Sequence, residues 1–353
     1  MQWSNHHESR PEALDQECIV AHVEAPDREC QALEALVSTV YAEVASFSEV
    51  DALDFVANQT QAVKRILPEI TQLMERLDSQ SGPPVIKLGL PASTVRDVPA
   101  TPTRYRVEPH RPIYRADLYR LLIVSVVGWY GYGYVSQQRG AVLNDVIFIE
   151  EQRAISGVSA NAENALDLHT EDASYSLGPG RDVSPDFITL HFFKNPTAVP
   201  TRISTIDWAR LPESSIALLE KSWFSNLTNP GQGGKINDHN TPVSIKFGPS
   251  GNPWFRLNTA NLGLERYTQE QQAVLRELMD HLNRRAVDVT SKPGDILLID
   301  NRRAAHGRPR IQPEIAPRYD GTDRWQRRLA FVRDRKQLEN ALIEPRVVDP
   351  SLL

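Results

Sequence analysis

Cysteine is almost missing from this chain. Cys18 and Cys30 are the only two in 353 residues, and both lie near the N-terminus. That excludes a disulfide framework and a Cys-based zinc site, and it points to a reducing cytoplasm. Long apolar runs are missing as well. The most apolar stretch, Leu121 to Tyr130, is about ten residues long, against the roughly 20 that a membrane helix needs. It is therefore core, and no membrane partner is expected. Basic excess is also absent: 39 basic residues against 45 acidic ones give a net charge of −6, which leaves no electrostatic footprint for nucleic acid. The polar stretch Met1 to Arg10 has no apolar h-region, so no secretory signal is expected. No internal repeat is visible. A hydrophobic content of 41% with 24% charged residues describes an ordinary globular chain, long enough for one large domain or two.

Residues 29–79 read as helical. Leu33, Leu36, Val37, Val40 and Tyr41 recur at helical spacing, as do Ile66, Ile70, Leu73 and Leu77. The stretch from Ser79 to Pro112 is rich in proline and glycine and reads as extended and irregular. A helix follows over Arg115 to Val127. From Ala141 the pattern turns to short strands, expected at 142–149, 165–173, 187–193, 201–207, 242–247, 253–258, 286–290, 295–300 and 326–333. Many short strands with turn signals imply an antiparallel sandwich or barrel. One helix interrupts them, Thr268 to Arg285, opened by a Thr268/Gln271 capping box. Residues 226–241 read as a lid loop.

The chemistry starts at Leu166-Asp167-Leu168-His169-Thr170-Glu171-Asp172-Ala173. In an extended strand His169 and Glu171 share a face. Together they make two thirds of a 2-His-1-carboxylate triad, the arrangement that holds non-haem Fe(II) and leaves positions open. Among the nine histidines, His6, His7, His22, His110, His239 and His281 lie in the tail, before the strands, in the lid or on the late helix, and His191 alternates with apolar neighbours as a core histidine does. His306 stands apart. It follows the Pro293-Gly294 turn and a strand, and Gly307 behind it lets backbone pass close to a metal site. Further on, Arg324 and Arg328 are four apart in an expected strand, so two guanidinium forks share a face suited to binding carboxylates. A 2-oxo acid and an amino acid would each present one; the bland alternative is a solvated basic strand edge.

With these residues in place, the sequence resembles the clavaminate synthase-like branch of the Fe(II)/2-oxoglutarate-dependent oxygenases of the TauD type. That branch includes the arginine and asparagine hydroxylases of peptide-antibiotic biosynthesis. The matching segments are Gly89-Leu90-Pro91 with Pro99-Ala100-Thr101-Pro102, Gln138-Arg139-Gly140, His169-Thr170-Glu171-Asp172-Ala173, Phe255-Arg256-Leu257-Asn258, Pro293-Gly294-Asp295, His306-Gly307-Arg308 and Asp320-Gly321-Thr322-Asp323-Arg324-Trp325. They cover roughly residues 85–335.

The resemblance implies a mainly β fold, a double-stranded β-helix (jelly roll) with flanking helices. Residues 1–112 would be a helical and Pro-rich segment packed on a core of 113–340, with 341–353 as a tail. His169, Glu171 and His306 would bind Fe(II), with 2-oxoglutarate and O₂ as co-substrates. Arg324 and Thr201 would hold the distal carboxylate of 2-oxoglutarate. Arg328 would take the substrate carboxylate, while Gln138, Ser159 and Glu171 surround its amino group. The expected reaction is hydroxylation of an unactivated C–H bond in a small-molecule α-amino acid, free or carried on a protein. Desaturation or cyclisation is the alternative outcome, and a catalytically silent jelly-roll binding protein or a zinc hydrolase the alternative class. Glu171 favours hydroxylation over halogenation, because related halogenases replace that carboxylate. One departure stands out. The arginine hydroxylases carry acidic residues where this chain has Asn258-Thr259-Ala260. Asn258 suits a neutral or acidic side chain; Glu265, or Asp238 in the lid, would restore a negative charge.

Overall fold

The computed structural model describes residues 19–105, 113–155, 159–175, 181–225 and 242–353. The expected lid, 226–241, with Asp238 and His239, lies outside the described residues, as do Cys18, His6, His7 and His110.

After strand β1 (Val20–Glu24), the helical repeat of residues 27–78 is broken at Ser48, Asn58 and Pro68. It folds as α1 (Asp27–Val44), α2 (Glu49–Ala57), α3 (Thr60–Ile66) and α4 (Pro68–Asp78). Ser48 caps α2 by accepting from the Asp51 N–H, and Pro68 opens α4 where its missing N–H costs nothing. The segment expected to be irregular contributes strand β2 (Val85–Gly89), with every residue but Lys87 buried. Proline punctuation on both sides hid an apolar strand that pairs with β1 in parallel. Helix α5 (Arg115–Ser125) is buried on all sides because it lies between the first four helices and a sheet.

The remaining elements are β3 (Tyr130–Tyr134), β4 (Asn144–Ile147), β5 (Leu166–His169), β6 (Phe187–Lys194), β7 (Thr201–Ser204), α6 (Glu213–Leu219), β8 (Lys246–Phe247), β9 (Trp254–Phe255), α7 (Gln269–Arg285), β10 (Val287–Val289), β11 (Ile296–Asp300), β12 (Ala305–Arg308), β13 (Trp325–Val332), β14 (Leu342–Glu344) and β15 (Val347–Val348). Among the described residues, a nine-stranded sheet runs β1-β2-β11-β6-β13-β3-β15-β14, with β4 also paired to β13. A four-stranded sheet runs β10-β7-β12-β5. Ile188, Leu190 and Phe192 of the large sheet share one core with Ile203 and Val289 of the small one, so the two sheets face each other as a jelly roll. Strands β1 and β2 join the large sheet directly, so residues before 112 and the core share hydrogen bonds as well as packing.

Both outer faces are covered. Phe187, Leu329 and Phe331 alternate outward to meet α1 to α5, and Leu168 and Ala305 of the small sheet meet Leu275, Leu278 and Leu282 of α7. Helix α7 starts at the Thr268/Gln271 capping box read from the sequence. No helix among the described residues is long and apolar enough to cross a membrane.

Candidate active site

A cavity of about 230 Å³ opens between the sheets. Strands β5 and β12 pair so that His306 stands opposite His169, and the ring centroids are 4.3 Å apart. Strand β5 ends at His169, whereas the sequence pattern extends it to Ala173. Glu171 therefore reaches the histidines from a turn, one in which Asp172 adopts φ +51°. Asn301 fixes that turn: its Oδ1 accepts from the Glu171 N–H, and its Nδ2 donates to the carbonyls of Glu171 and Pro185. One ligating atom from each of His169, Glu171 and His306 lies within 4.8 Å of the others.

The electrostatics of this cluster suit a cation. The His169 Nδ1 bonds the Asp167 carbonyl at 2.8 Å, which turns Nε2 to the cavity and fixes the tautomer. Burial pushes its pKa down to about 4, with His306 adding to the effect, so the imidazole stays neutral, as a ligand must. Burial alone would raise the Glu171 carboxyl; Arg328, followed by His306, holds it well below the usual range. Its two oxygens divide the work: Oε1 accepts from Arg328 and Oε2 lies 3.4 Å from His306 Nε2. Two imidazoles and one carboxylate gathered at an open cavity are the donor set of a non-haem Fe(II) site.

Strand β13, with Arg324 just before it, sorts its side chains by alternation. Arg324, Gln326 and Arg328 line the cavity, while Trp325 and Arg327 point away and both donate to Asp145. Arg324 is 6% exposed and has no acidic partner among the described residues. Burial, with Arg308 nearby, lowers its pKa to about 9. The Thr201 hydroxyl, on the same cavity wall, is buried without a hydrogen-bond partner. A guanidinium and a hydroxyl left unsatisfied in one wall have the donors and charge to receive a carboxylate.

The remaining expected residues all reach the cavity wall. Arg328 donates to Glu171 and Gln137. Ser159 hydrogen-bonds Tyr105. Asn258 bridges to His169 and accepts from the Ala260 N–H. Gln138 uses both ends of its amide on the Asp145 backbone, while its neighbour Gln137 reaches Arg328 and Asp172. Glu265 is exposed and away from the cavity. The sequence reading missed Gln137, Asn301 and Arg308. Residues 138–140 all have positive φ, a turn that leaves no periodic signal and brings both glutamines to the cavity wall, Gln137 on Arg328 and Asp172 and Gln138 on the Asp145 backbone. Arg308 stood in the His306-Gly307-Arg308 motif without a role; it is buried and lines the cavity beside Arg324. Its guanidinium donates to the carbonyls of Pro309 and Asn164.

A family model described as "Taurine catabolism dioxygenase TauD, TfdA family" matches residues 222–329. The chain is 30% identical over 304 residues to an L-lysine 3-hydroxylase of Catenulispora acidiphila, covering 82% of this chain and 79% of that protein. It is 26% identical over 227 residues to an L-ornithine/L-arginine 3-hydroxylase of the same organism, covering 58% of this chain and 63% of that relative's length. Among solved structures, the non-haem iron oxygenase OrfP in complex with Fe and alpha-ketoglutaric acid superposes with a TM-score of 0.77 at 21% identity, covering 93% of this chain and 99% of that one.

Proposed function

This chain belongs to the TauD/TfdA family of Fe(II)/2-oxoglutarate-dependent oxygenases, in the branch of the amino acid hydroxylases and clavaminate synthase, and from that premise we propose that it hydroxylates an unactivated C–H bond of a free α-amino acid. The observation that carries the proposal is the pairing of His169, Glu171 and His306 with the unsatisfied Arg324 and Thr201 in one cavity.

In this reading His169, Glu171 and His306 hold the iron, and Arg324 with Thr201 takes the distal carboxylate of 2-oxoglutarate. Fe(II) bound there, supplied with 2-oxoglutarate and O₂, yields succinate, CO₂ and an oxidant strong enough to attack an aliphatic C–H bond. The chain's own residues do the positioning. Arg328 takes the α-carboxylate of the amino acid, and Gln137, Ser159 and Glu171 stand around its amino group. A carrier-bound thioester has no free carboxylate for Arg328, which favours a free amino acid. The free thiol of Cys30 suits the reducing cytoplasm in which we place the enzyme.

The test is anaerobic mixing of Fe(II), 2-oxoglutarate and the protein, which should give a weak visible charge-transfer band that His306→Ala abolishes. A succinate-release screen over free amino acids, with product masses raised by 16, should then identify the substrate. An unchanged band in His306→Ala would refute the metal assignment.

A further inference from the structure

Four carboxylates line the cavity, and three meet partners in or behind its wall. Glu171 accepts from Arg328, Asp172 from Gln137, and Asp145 from Trp325 and Arg327. The fourth, Asp167, is exposed to the solvent of the open cavity, and its carboxylate has no hydrogen-bond or ion-pair partner among the described residues; only its backbone carbonyl is engaged, by His169.

Its position is the product of a bulge. His306 pairs with His169, but Arg308 pairs with Leu166, so Asp167 and Leu168 together face Gly307. Bulges re-aim side chains. Here Leu168 enters the core under α7, while Leu166, Asp167 and His169 all line the cavity. The uncharged segment 258–260 lies against this strand: Thr259 Oγ1 donates to the Leu168 carbonyl at 2.7 Å, and Asn258 bridges to His169. The negative charge missing from 258–260 is thus supplied from the facing strand.

We propose that Asp167 is a specificity-determining residue that receives the cationic end of the substrate side chain, so the substrate is a basic α-amino acid of the lysine, ornithine or arginine type. This rests on the amino acid reading above. With the α-carboxylate at Arg328 and the reacting carbon beside His169 and His306, the side chain runs along β5 to Asp167. Water solvates this exposed carboxylate in the open cavity; a neutral side chain filling the cavity would strip that water and put nothing in its place. An ammonium or guanidinium gives it a charge-assisted hydrogen bond. The lysine and ornithine/arginine hydroxylases to which the chain is similar are named for substrates of this charge.

The test measures succinate release and product mass for wild type, Asp167→Asn and Asp167→Glu. L-lysine, L-ornithine and L-arginine are compared with L-norleucine and L-glutamine, and 2-oxoglutarate is titrated anaerobically by its visible band. Wild type should favour its best basic substrate over L-norleucine by about 100-fold in kcat/KM. Asp167→Asn should cut that ratio at least tenfold, mainly through KM, and Asp167→Glu should keep it. The 2-oxoglutarate titration should not move in Asp167→Asn, because asparagine retains the backbone carbonyl that orients His169. A wild-type preference for a neutral amino acid, or an undiminished basic preference in Asp167→Asn, overturns the role of Asp167 and leaves the oxygenase reading intact. If no amino acid raises succinate release above the substrate-free rate, both fall.

Discussion

Asn301 grips the backbone of Glu171 from both sides, accepting from its N–H at 2.6 Å and donating to its carbonyl at 3.2 Å. Glu171 sits in a turn beyond the end of β5, so no strand ladder fixes it. Partners that orient a metal ligand are typically worth about 10- to 100-fold in metal affinity. Asn301→Ala should weaken Fe(II) binding by that factor in an anaerobic titration. Asn301→Asp keeps the acceptor, loses both donated bonds, and should fall between. Wild-type affinity in both variants would show that the turn holds itself.

Arg324 and Thr201 should govern the co-substrate. Arg324→Met removes a buried cation with no acidic partner among the described residues. It should lower 2-oxoglutarate affinity by about 30- to 100-fold and stabilise the ligand-free protein. Thr201→Val should cost about tenfold in affinity. Thermal unfolding with and without 2-oxoglutarate checks both, since the wild-type rise in Tm on adding it should nearly vanish in Arg324→Met.

Gly307 has no room for a side chain. A Cβ there would stand 2.5 Å from the Leu166 carbonyl oxygen and 3.1 Å from that of Asp167, both backbone atoms of the bulged strand. Gly307→Ala must push β12 from β5 and spread the two histidines. The expected loss is about 1–3 kcal/mol in stability with weaker Fe(II) binding. Gly251→Ala, at a position with nothing within 4 Å, is the control and should change neither. Chemical denaturation of the two variants side by side decides the matter.

Acid should destabilise the metal-free protein through histidines that folding keeps neutral. Burial, then the Arg120 cation, holds His191 well below its ordinary 6.5, and both its nitrogens lack partners. Burial likewise lowers His281, and lowers His169 to about 4. The unfolded chain therefore takes up protons that the folded chain does not as pH drops below 6.5. Stability is full above that value and falls down to about 4, where His169 itself protonates. His191→Leu removes one such group. Between pH 7.5 and pH 5 it should lose about 1–2 kcal/mol less than wild type in denaturant unfolding; parallel losses would refute this.

Much of the site could be read from single residues because its chemistry is written in residue type. A histidine and a glutamate two apart, a histidine before a glycine, and two arginines four apart carry their roles wherever the backbone takes them. A sandwich or barrel was legible for a similar reason, since short apolar runs between turn residues have few ways to bury themselves; the resemblance narrowed it to a jelly roll. The misses share a different cause. Strand β2 hid between prolines because its burial comes from β1 and β11, far away in sequence. Gln137 and Gln138 are adjacent and identical in kind, and only a run of positive φ angles sets one on Arg328 and the other on the Asp145 backbone. Asn301 is one of many turn asparagines until the turn that carries Glu171 arrives beside it.

The sequence by itself determined the donor set, the paired arginines and a sandwich or barrel of short strands, because these follow from side-chain chemistry and from local hydrophobic periodicity; the jelly roll came with the family resemblance. Only the tertiary structure decided that Arg324 and Arg308 face the cavity without acidic partners among the described residues, that Arg327 is spent on Asp145, and that a bulge opposite Gly307 brings Asp167 to the cavity wall. Those outcomes depend on register and twist between strands more than a hundred residues apart, and no local pattern encodes them.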